Sequence, residues 1–148
     1  DLLPAKIMED IVPNLIDELP LFFLIASMIE GESEFNGLSE LKHKESDRLS
    51  IMINNLQELD VKVHLNKDSL KIIGKKDRNF SHGVFDSHGD HRIAMTMLVA
   101  GLRSSEGLIV NNVDCINTSF PEFIDQAKML GFNFQNGSTA VLTACVSA

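Results

Sequence analysis

The sequence predicts an α/β protein made of two copies of one unit, with helices on one side of small sheets. Residues 17–73 and 90–143 show the same order of elements: helix, short strand, helix and two strands. In each segment the apolar residues change from helical spacing to strand-like alternation. With 44% hydrophobic and 23% charged residues, the chain has an ordinary globular composition. We therefore expect a single domain over residues 1–148 with two internal pseudo-repeats.

The first copy is predicted to have elements at about 19–30 (helix), 33–35 (strand), 45–59 (helix), 61–65 (strand) and 70–73 (strand). Gly31 is expected to end the first helix, because glycine accepts the left-handed conformation of a C-cap. Leu49, Met52 and Leu56 give the second helix its apolar face. The preceding residues, 1–16, contain two prolines and are expected to be irregular.

The second copy is predicted to have elements at about 90–102 (helix), 108–110 (strand), 121–130 (helix), 132–134 (strand) and 140–143 (strand). Pro121 suits a first helical turn, where its missing N–H costs nothing. Gly131 is expected to end that helix, and Asn136-Gly137 to form a hairpin turn. The polar segment 74–88 is expected to link the copies.

Composition and charge exclude several classes of function. A formal charge of −8 argues against nucleic-acid partners, which need a basic face to displace counterions. The longest apolar run is too short to span a bilayer, so no membrane partner is expected. Cys115 and Cys145 are too few for a disulfide framework and fit a reducing cytoplasm.

Three polar clusters lie at or near predicted helix starts, at residues 17–18, 42–48 and 88–92. A helix N-terminus presents free N–H groups and a partial positive charge, which favour anions. Arg48 and Arg92 are of the residue type that binds carboxylates and phosphates with two parallel hydrogen bonds. The clusters therefore indicate a site for anionic molecules, with carboxylates nearby for acid–base chemistry.

Each cluster also has a purely structural interpretation. Asp17 is of the type that caps helices, and a charged run such as 42–48 commonly forms a solvated face. Arg92 could pair with Asp90 or Asp86. Two equivalent helix starts, one in each copy, carry a basic residue with acid–base candidates beside it. This combination favours the functional interpretation of the clusters.

The spacing of His88, Asp90 and His91 leaves a zinc site open as an alternative, although no third strong ligand motif accompanies them.

At these clusters the sequence resembles the EPSP synthase family, the 3-phosphoshikimate 1-carboxyvinyltransferases. The motifs that carry the resemblance are LIDELP (15–20), KESDR (44–48), DHRIAM (90–95), VAGL (99–102) and SFPEF (119–123). Their order and spacing match the C-terminal part of the family, so this chain is expected to be that part. The resemblance implies an inside-out α/β barrel built from βαβαββ units.

The resemblance also implies a reaction, partners and residue roles. An enolpyruvyl group moves from phosphoenolpyruvate to the 5-hydroxyl of shikimate 3-phosphate, with no metal and no cofactor. Asp17 is then the candidate base, Glu45 the candidate acid, and Lys44 a charge-neutralising and proton-shuttling group. The residues implied to bind phosphoenolpyruvate are Arg48, His91 and Arg92.

Three departures from the family pattern leave alternatives open. Thr118 stands where many relatives carry Lys, the tail 135–148 is atypical, and the substrate-binding motifs of the family's N-terminal half are not found. That missing half is an expected partner, and the chain alone is expected to be inactive. The alternatives are a relative that uses a UDP-sugar, a catalytically dead folding or interaction module, and a metal-dependent hydrolase.

Overall fold

The computed structural model describes residues 2–136 and 141–146, with side chains described for 2–135. The chain divides into two compact units, which we call unit 1 (Asp1–Arg78) and unit 2 (Asn79–Ala148). Among the described residues, the strands form two four-stranded sheets, one from each unit. The domain organisation inferred from the sequence, one domain over 1–148, stays a prediction.

Unit 1 follows the order βαβαββ, with one additional short helix. Its elements are β1 (Lys6–Ile7), α1 (Val12–Leu15), α2 (Leu19–Ser27), β2 (Gly31–Phe35), a 3₁₀ turn (Ser39–His43), α3 (Arg48–Glu58), β3 (Lys62–Asn66) and β4 (Ser69–Gly74). The sheet order is β1-β2-β4-β3, in which β1 pairs parallel to β2 and the other pairs are antiparallel.

Unit 2 repeats this order. Its elements are β5 (Gly83–Asp86), α4 (His91–Ala100), a 3₁₀ turn (Gly101–Arg103), β6 (Leu108–Asn111), a 3₁₀ turn (Val113–Cys115), α5 (Ile116–Ser119), α6 (Phe123–Met129), β7 (Phe132–Asn136) and β8 (Val141–Val146). Its sheet order, β5-β6-β8-β7, corresponds strand for strand to that of unit 1.

Each unit has its own apolar core between helices and sheet. In unit 1, Phe23 of α2 meets Phe35 of β2 edge to face, with ring centroids 4.9 Å apart. Leu49, Met52 and Leu56 of α3 are fully buried, as their spacing predicted. In unit 2 the buried residues include Phe85, Ile93, Met97, Leu108 and Val110.

The structure differs from the sequence prediction mainly at the start of each unit. β1 lies in the stretch expected to be irregular, and β5 lies in the stretch expected to be a linker. Both strands are short and pair in parallel with a strand that is distant in the sequence, so local periodicity gives little signal for them.

Several predicted helix ends also shift. The first helix ends at Ser27 instead of residue 30, and Gly31, with φ of 114°, is the first residue of β2. The helix expected from Pro121 begins at Phe123. The predicted Asn136-Gly137 turn and the start of its second strand lie outside the described residues. No helix in the described part of the chain is long and apolar enough to cross a membrane.

Candidate active site

The four charged residues predicted for the first copy lie in unit 1 and come together. Asp17 lies between α1 and α2, whereas Lys44 and Glu45 follow the 3₁₀ turn that leads to α3. Arg48 is the first residue of α3. We call these residues the Arg48 cluster.

The helix that carries Arg48 begins later than the sequence predicted. Residues 45–47 precede α3, because Asp47 is its N-cap: the Ser50 backbone N–H donates to Asp47 Oδ1 at 3.1 Å. The Ser50 hydroxyl donates to the other carboxylate oxygen at 2.8 Å. Asp47 therefore stabilises the start of α3, whereas Glu45 precedes the helix and its carboxylate lies near Arg48.

Arg48 is the centre of the cluster. Its Nη1 donates to Asp17 Oδ1 at 2.8 Å, and its Nη2 donates to Glu45 Oε2. Lys44 Nζ lies 3.4 Å from the same oxygen of Asp17. The Arg48 side chain is only 1% exposed, whereas Asp17 and Glu45 are 50% and 53% exposed. A buried guanidinium thus holds two carboxylates that remain open to solvent.

The cluster also fixes the protonation of Asp17. The hydrogen bond from Arg48 lowers the pKa of this carboxyl, and Lys44 lowers it further, against partial burial, which raises it. Asp17 is therefore a carboxylate at neutral pH. The cations on either side keep it ionised, and its oxygens can accept hydrogen bonds from hydroxyl groups held beside it.

The residues predicted for the second copy lie in unit 2, at the start of α4. His91 and Arg92 are its first two residues and are partly buried. Asp90 is completely buried and is the N-cap, since its Oδ1 accepts from the Arg92 backbone N–H at 2.9 Å. The prediction that this polar cluster starts a helix is confirmed, with the helix beginning at His91.

A metal site is not supported by the geometry. In the part of the chain that the structure describes, no group of three His, Cys, Asp or Glu side chains is arranged to hold a metal ion. Asp90, one of the three ligands considered from the sequence, uses a carboxylate oxygen to cap α4.

Thr118, which departs from the pattern that the resemblance implies, lies in the short helix α5. The Thr118 hydroxyl donates to the Cys115 carbonyl at 2.8 Å, and this bond stabilises the local turn from Cys115 to Thr118. The Cys115 thiol lies beside Ser87, and burial raises its pKa, which keeps it protonated at neutral pH.

Two residues that the sequence analysis did not single out hold the turn before α4. The Ser87 hydroxyl donates to the Asn112 carbonyl, and the Asn112 side-chain amide donates to Asp86, the last residue of β5. A weak sequence signal for Asn112 exists: asparagine tolerates the left-handed conformation found there, with φ of 59°. Nothing in the local pattern indicates its partner, which lies far away in the sequence.

The fold places the protein among the α/β proteins of the enolpyruvyl transferase type. A solved EPSP synthase from Acinetobacter baumannii matches with a TM-score of 0.81 and 37% identity, covering 86% of this chain and 30% of that one. The enolpyruvyl transferase NikO from Streptomyces tendae, at 11% identity and a TM-score of 0.63, shares the fold alone. The α/β fold class predicted from the sequence is confirmed.

The sequence comparisons are more specific. The profile of the family described as EPSP synthase (3-phosphoshikimate 1-carboxyvinyltransferase) matches residues 3–127. The chain belongs to this family. A 3-phosphoshikimate 1-carboxyvinyltransferase from Magnetococcus marinus is 42% identical over 133 residues, which are 90% of this chain and 30% of the relative. One from Aquifex aeolicus is 39% identical over 123 residues, covering 83% of this chain and 28% of the relative. The chain therefore spans about 30% of the length of its relatives.

Proposed function

We propose that this chain is the C-terminal part of an enzyme that transfers the enolpyruvyl group of phosphoenolpyruvate to the 5-hydroxyl of shikimate 3-phosphate, releasing phosphate. The reaction belongs to the shikimate pathway of aromatic amino acid biosynthesis and is expected in the cytoplasm. The observation that carries the proposal is the Arg48 cluster, in which carboxylates and cations of the family's motifs meet in one place.

The chemistry requires two proton transfers in the addition step. The acceptor hydroxyl loses a proton as its oxygen bonds to C2 of phosphoenolpyruvate, and the methylene carbon gains one. Asp17 is the proposed base for the hydroxyl, because the motif that contains it is the one the resemblance assigns to this role. Glu45 is the proposed acid for the methylene carbon. In the second step, loss of a methyl proton and of phosphate regenerates the enol double bond.

The cations are proposed to bring two anionic substrates together. Lys44, Arg48, His91 and Arg92 offset the repulsion between the phosphate and carboxylate groups. Both terminal nitrogens of Arg48 already donate to carboxylates. An anionic group of phosphoenolpyruvate that binds Arg48 is expected to compete with Glu45 for the guanidinium, and the released carboxylate can then take up the proton that it gives to the methylene carbon.

The test is reconstitution. The chain is assayed alone and mixed with the segment of the Acinetobacter baumannii enzyme that it does not match, and phosphate release is followed with both substrates present. A positive control is the Acinetobacter enzyme split at the same boundary. We expect no turnover by the chain alone and substrate-dependent turnover by the mixture.

Two outcomes would contradict the proposal in different ways. Turnover by the chain alone would show that it needs no partner segment. Lack of turnover by the mixture, with the split control active and both parts folded, would favour a catalytically dead interaction module. Release of phosphate with a UDP-sugar in place of shikimate 3-phosphate would identify the other type of enolpyruvyl acceptor.

A further inference from the structure

The turn between β5 and α4 has an unusual backbone. Two consecutive residues, His88 and Gly89, are left-handed, with φ of 53° and 74°. Glycine accepts this conformation freely, but a residue with a Cβ such as histidine adopts it only when its surroundings hold it there. Because α4 begins two residues later, the conformation of this turn sets the position of the helix N-terminus.

Asp86, the last residue of β5, holds the turn from one side. Its Oδ1 accepts from the His88 backbone N–H at 2.6 Å. The Asn112 side-chain amide donates to both carboxylate oxygens, at 2.9 and 2.8 Å. The bond from Asn112 lowers the pKa of Asp86, and the His88 N–H lowers it further, while burial raises it. Asp86 is thus a carboxylate that joins the turn to the end of β6.

Ser87 holds the turn from the other side. Its backbone N–H donates to the Asn111 carbonyl at 3.2 Å, and its hydroxyl donates to the Asn112 carbonyl at 2.7 Å. The same hydroxyl accepts from the Gly89 N–H at 3.1 Å. Ser87 is completely buried, so these bonds are protected from water. Residues 111–112 therefore contact the turn through both Asp86 and Ser87.

The corresponding position in unit 1 shows what is particular to unit 2. Asn36 follows β2 as Asn112 follows β6, and its amide donates to the Ile7 carbonyl at 3.2 Å. Ile7 pairs with the last residue of β2, as Asp86 pairs with the last residue of β6. The asparagine is common to both units, and in unit 1 its side chain also hydrogen-bonds to the Glu34 carboxylate. In unit 2 the asparagine binds Asp86, a carboxylate that also accepts from the backbone of the turn before α4.

We propose that Asp86 and Asn112 are positioning residues for His91 and Arg92, and that they set the affinity of these groups for phosphoenolpyruvate. This inference rests on the proposed function. A shift of the turn would move both side chains together, because they belong to the first helical turn. A displacement of about 1 Å in a binding group is enough to weaken substrate use by one to two orders of magnitude.

The kinetic test uses the reconstituted enzyme. Asn112→Asp places a carboxylate against Asp86 and is expected to raise KM for phosphoenolpyruvate about tenfold or more, with KM for shikimate 3-phosphate unchanged. The exchanged pair, Asp86→Asn with Asn112→Asp, restores one donor and one acceptor and should recover most of this loss. The matched control is Asn36→Asp, which should leave both KM values unchanged. Equal KM values for wild type and Asn112→Asp would overturn the proposal, as would an equal change in Asn36→Asp.

A second measurement separates this inference from the proposed function. In the full chain alone, hydrogen exchange of the His88 amide reports the tether without any substrate. We expect faster exchange in Asn112→Asp, recovery in the exchanged pair and no change in Asn36→Asp. If the wild-type mixture has no activity, the proposed function fails, and the exchange rates alone decide whether the pair holds the turn. Unchanged exchange in Asn112→Asp would then reject the pair as a positioning device.

Discussion

In unit 1 the starts of two helices, α2 and α3, are joined by ion pairs around Arg48, whereas in unit 2 the start of α4 is held from the ends of two strands. In the corresponding second helix of unit 2, α6, no side-chain cap hydrogen bond is found among the described residues, and Thr118 lies in the preceding helix α5. Two units with the same strand order thus hold their charged residues differently: unit 1 uses ion pairs between side chains, and unit 2 uses hydrogen bonds from the ends of strands.

The difference concerns which side chains are free to react. In unit 1 the structural contacts of Arg48 are made with the proposed acid and base themselves. In unit 2 the structural contacts are made by Asp86, Asn112 and Asp90, none of which is proposed to react. Under the proposed function, unit 1 would provide the groups for proton transfer and unit 2 would hold binding groups in place.

The largest expected effect is that of removing the proposed acid. In the reconstituted enzyme, Glu45→Gln should lower kcat by about 10²–10⁴, because a general acid contributes that range, with a smaller change in KM. Steady-state phosphate release measures it. Glu122→Gln, at the N-cap of α6 in unit 2, is the matched control and should retain wild-type kcat. Similar losses in both variants would remove the proposed contrast between the units.

The second-largest effect is expected for Arg48→Met. Loss of the guanidinium should reduce kcat/KM by about 10²–10³, the range for removing one preorganised donor. The free energy of unfolding should change by about 1 kcal/mol or less, since the carboxylates left behind are half exposed and stay hydrated.

Urea unfolding of Arg48→Met is followed by circular dichroism, because the chain has no Trp or Tyr. Lys62→Met, on the exposed side of β3, is the control for loss of one positive charge. A large loss of stability without loss of activity would show that Arg48 is a structural residue only.

Thr118→Lys tests whether a cation in α5 strengthens substrate binding by unit 2. One added cation at an exposed position near an anionic substrate is worth about 1 kcal/mol, so KM for phosphoenolpyruvate should fall about fivefold. Thr118→Met, which adds length without charge, should not lower it. If both variants behave alike, unit 2 gains nothing from a cation at this place.

The smallest effect is on acid stability. The pKa of Asp17 is lowered in the folded protein, so its contribution to stability is present above the unfolded value near 3.8 and is lost as pH falls through the folded value. Asp17→Asn should therefore be less stable than wild type at pH 7 and should lose less stability between neutral and strongly acidic pH. Urea unfolding of wild type and Asp17→Asn at a series of pH values measures how the free energy of unfolding of each protein depends on pH. An equal dependence in the two proteins would contradict a lowered pKa for Asp17.

Much of the secondary structure could be predicted because it depends on neighbouring residues. The apolar spacing of Leu49, Met52 and Leu56 predicted the buried face of α3, and the polar cluster before Arg92 predicted the start of α4. The predicted ends of helices and strands were less accurate. Gly31 was expected to be a helix cap, but it is the first residue of β2, with a φ of 114°. A Cβ at this position would lie 2.8 Å from Pro4.

The sequence alone determined the repeated succession of helix, strand, helix and two strands, the α/β class and the motifs that place the chain in its family, because each depends on residues close together in the chain. Only the tertiary structure decided which of those residues meet. Arg48 binds Asp17 across 31 positions, and Asn112 binds Asp86 across 26. Such contacts, like the parallel strands β1 and β5, arise when the sheet brings distant segments together, and no local pattern encodes the partner.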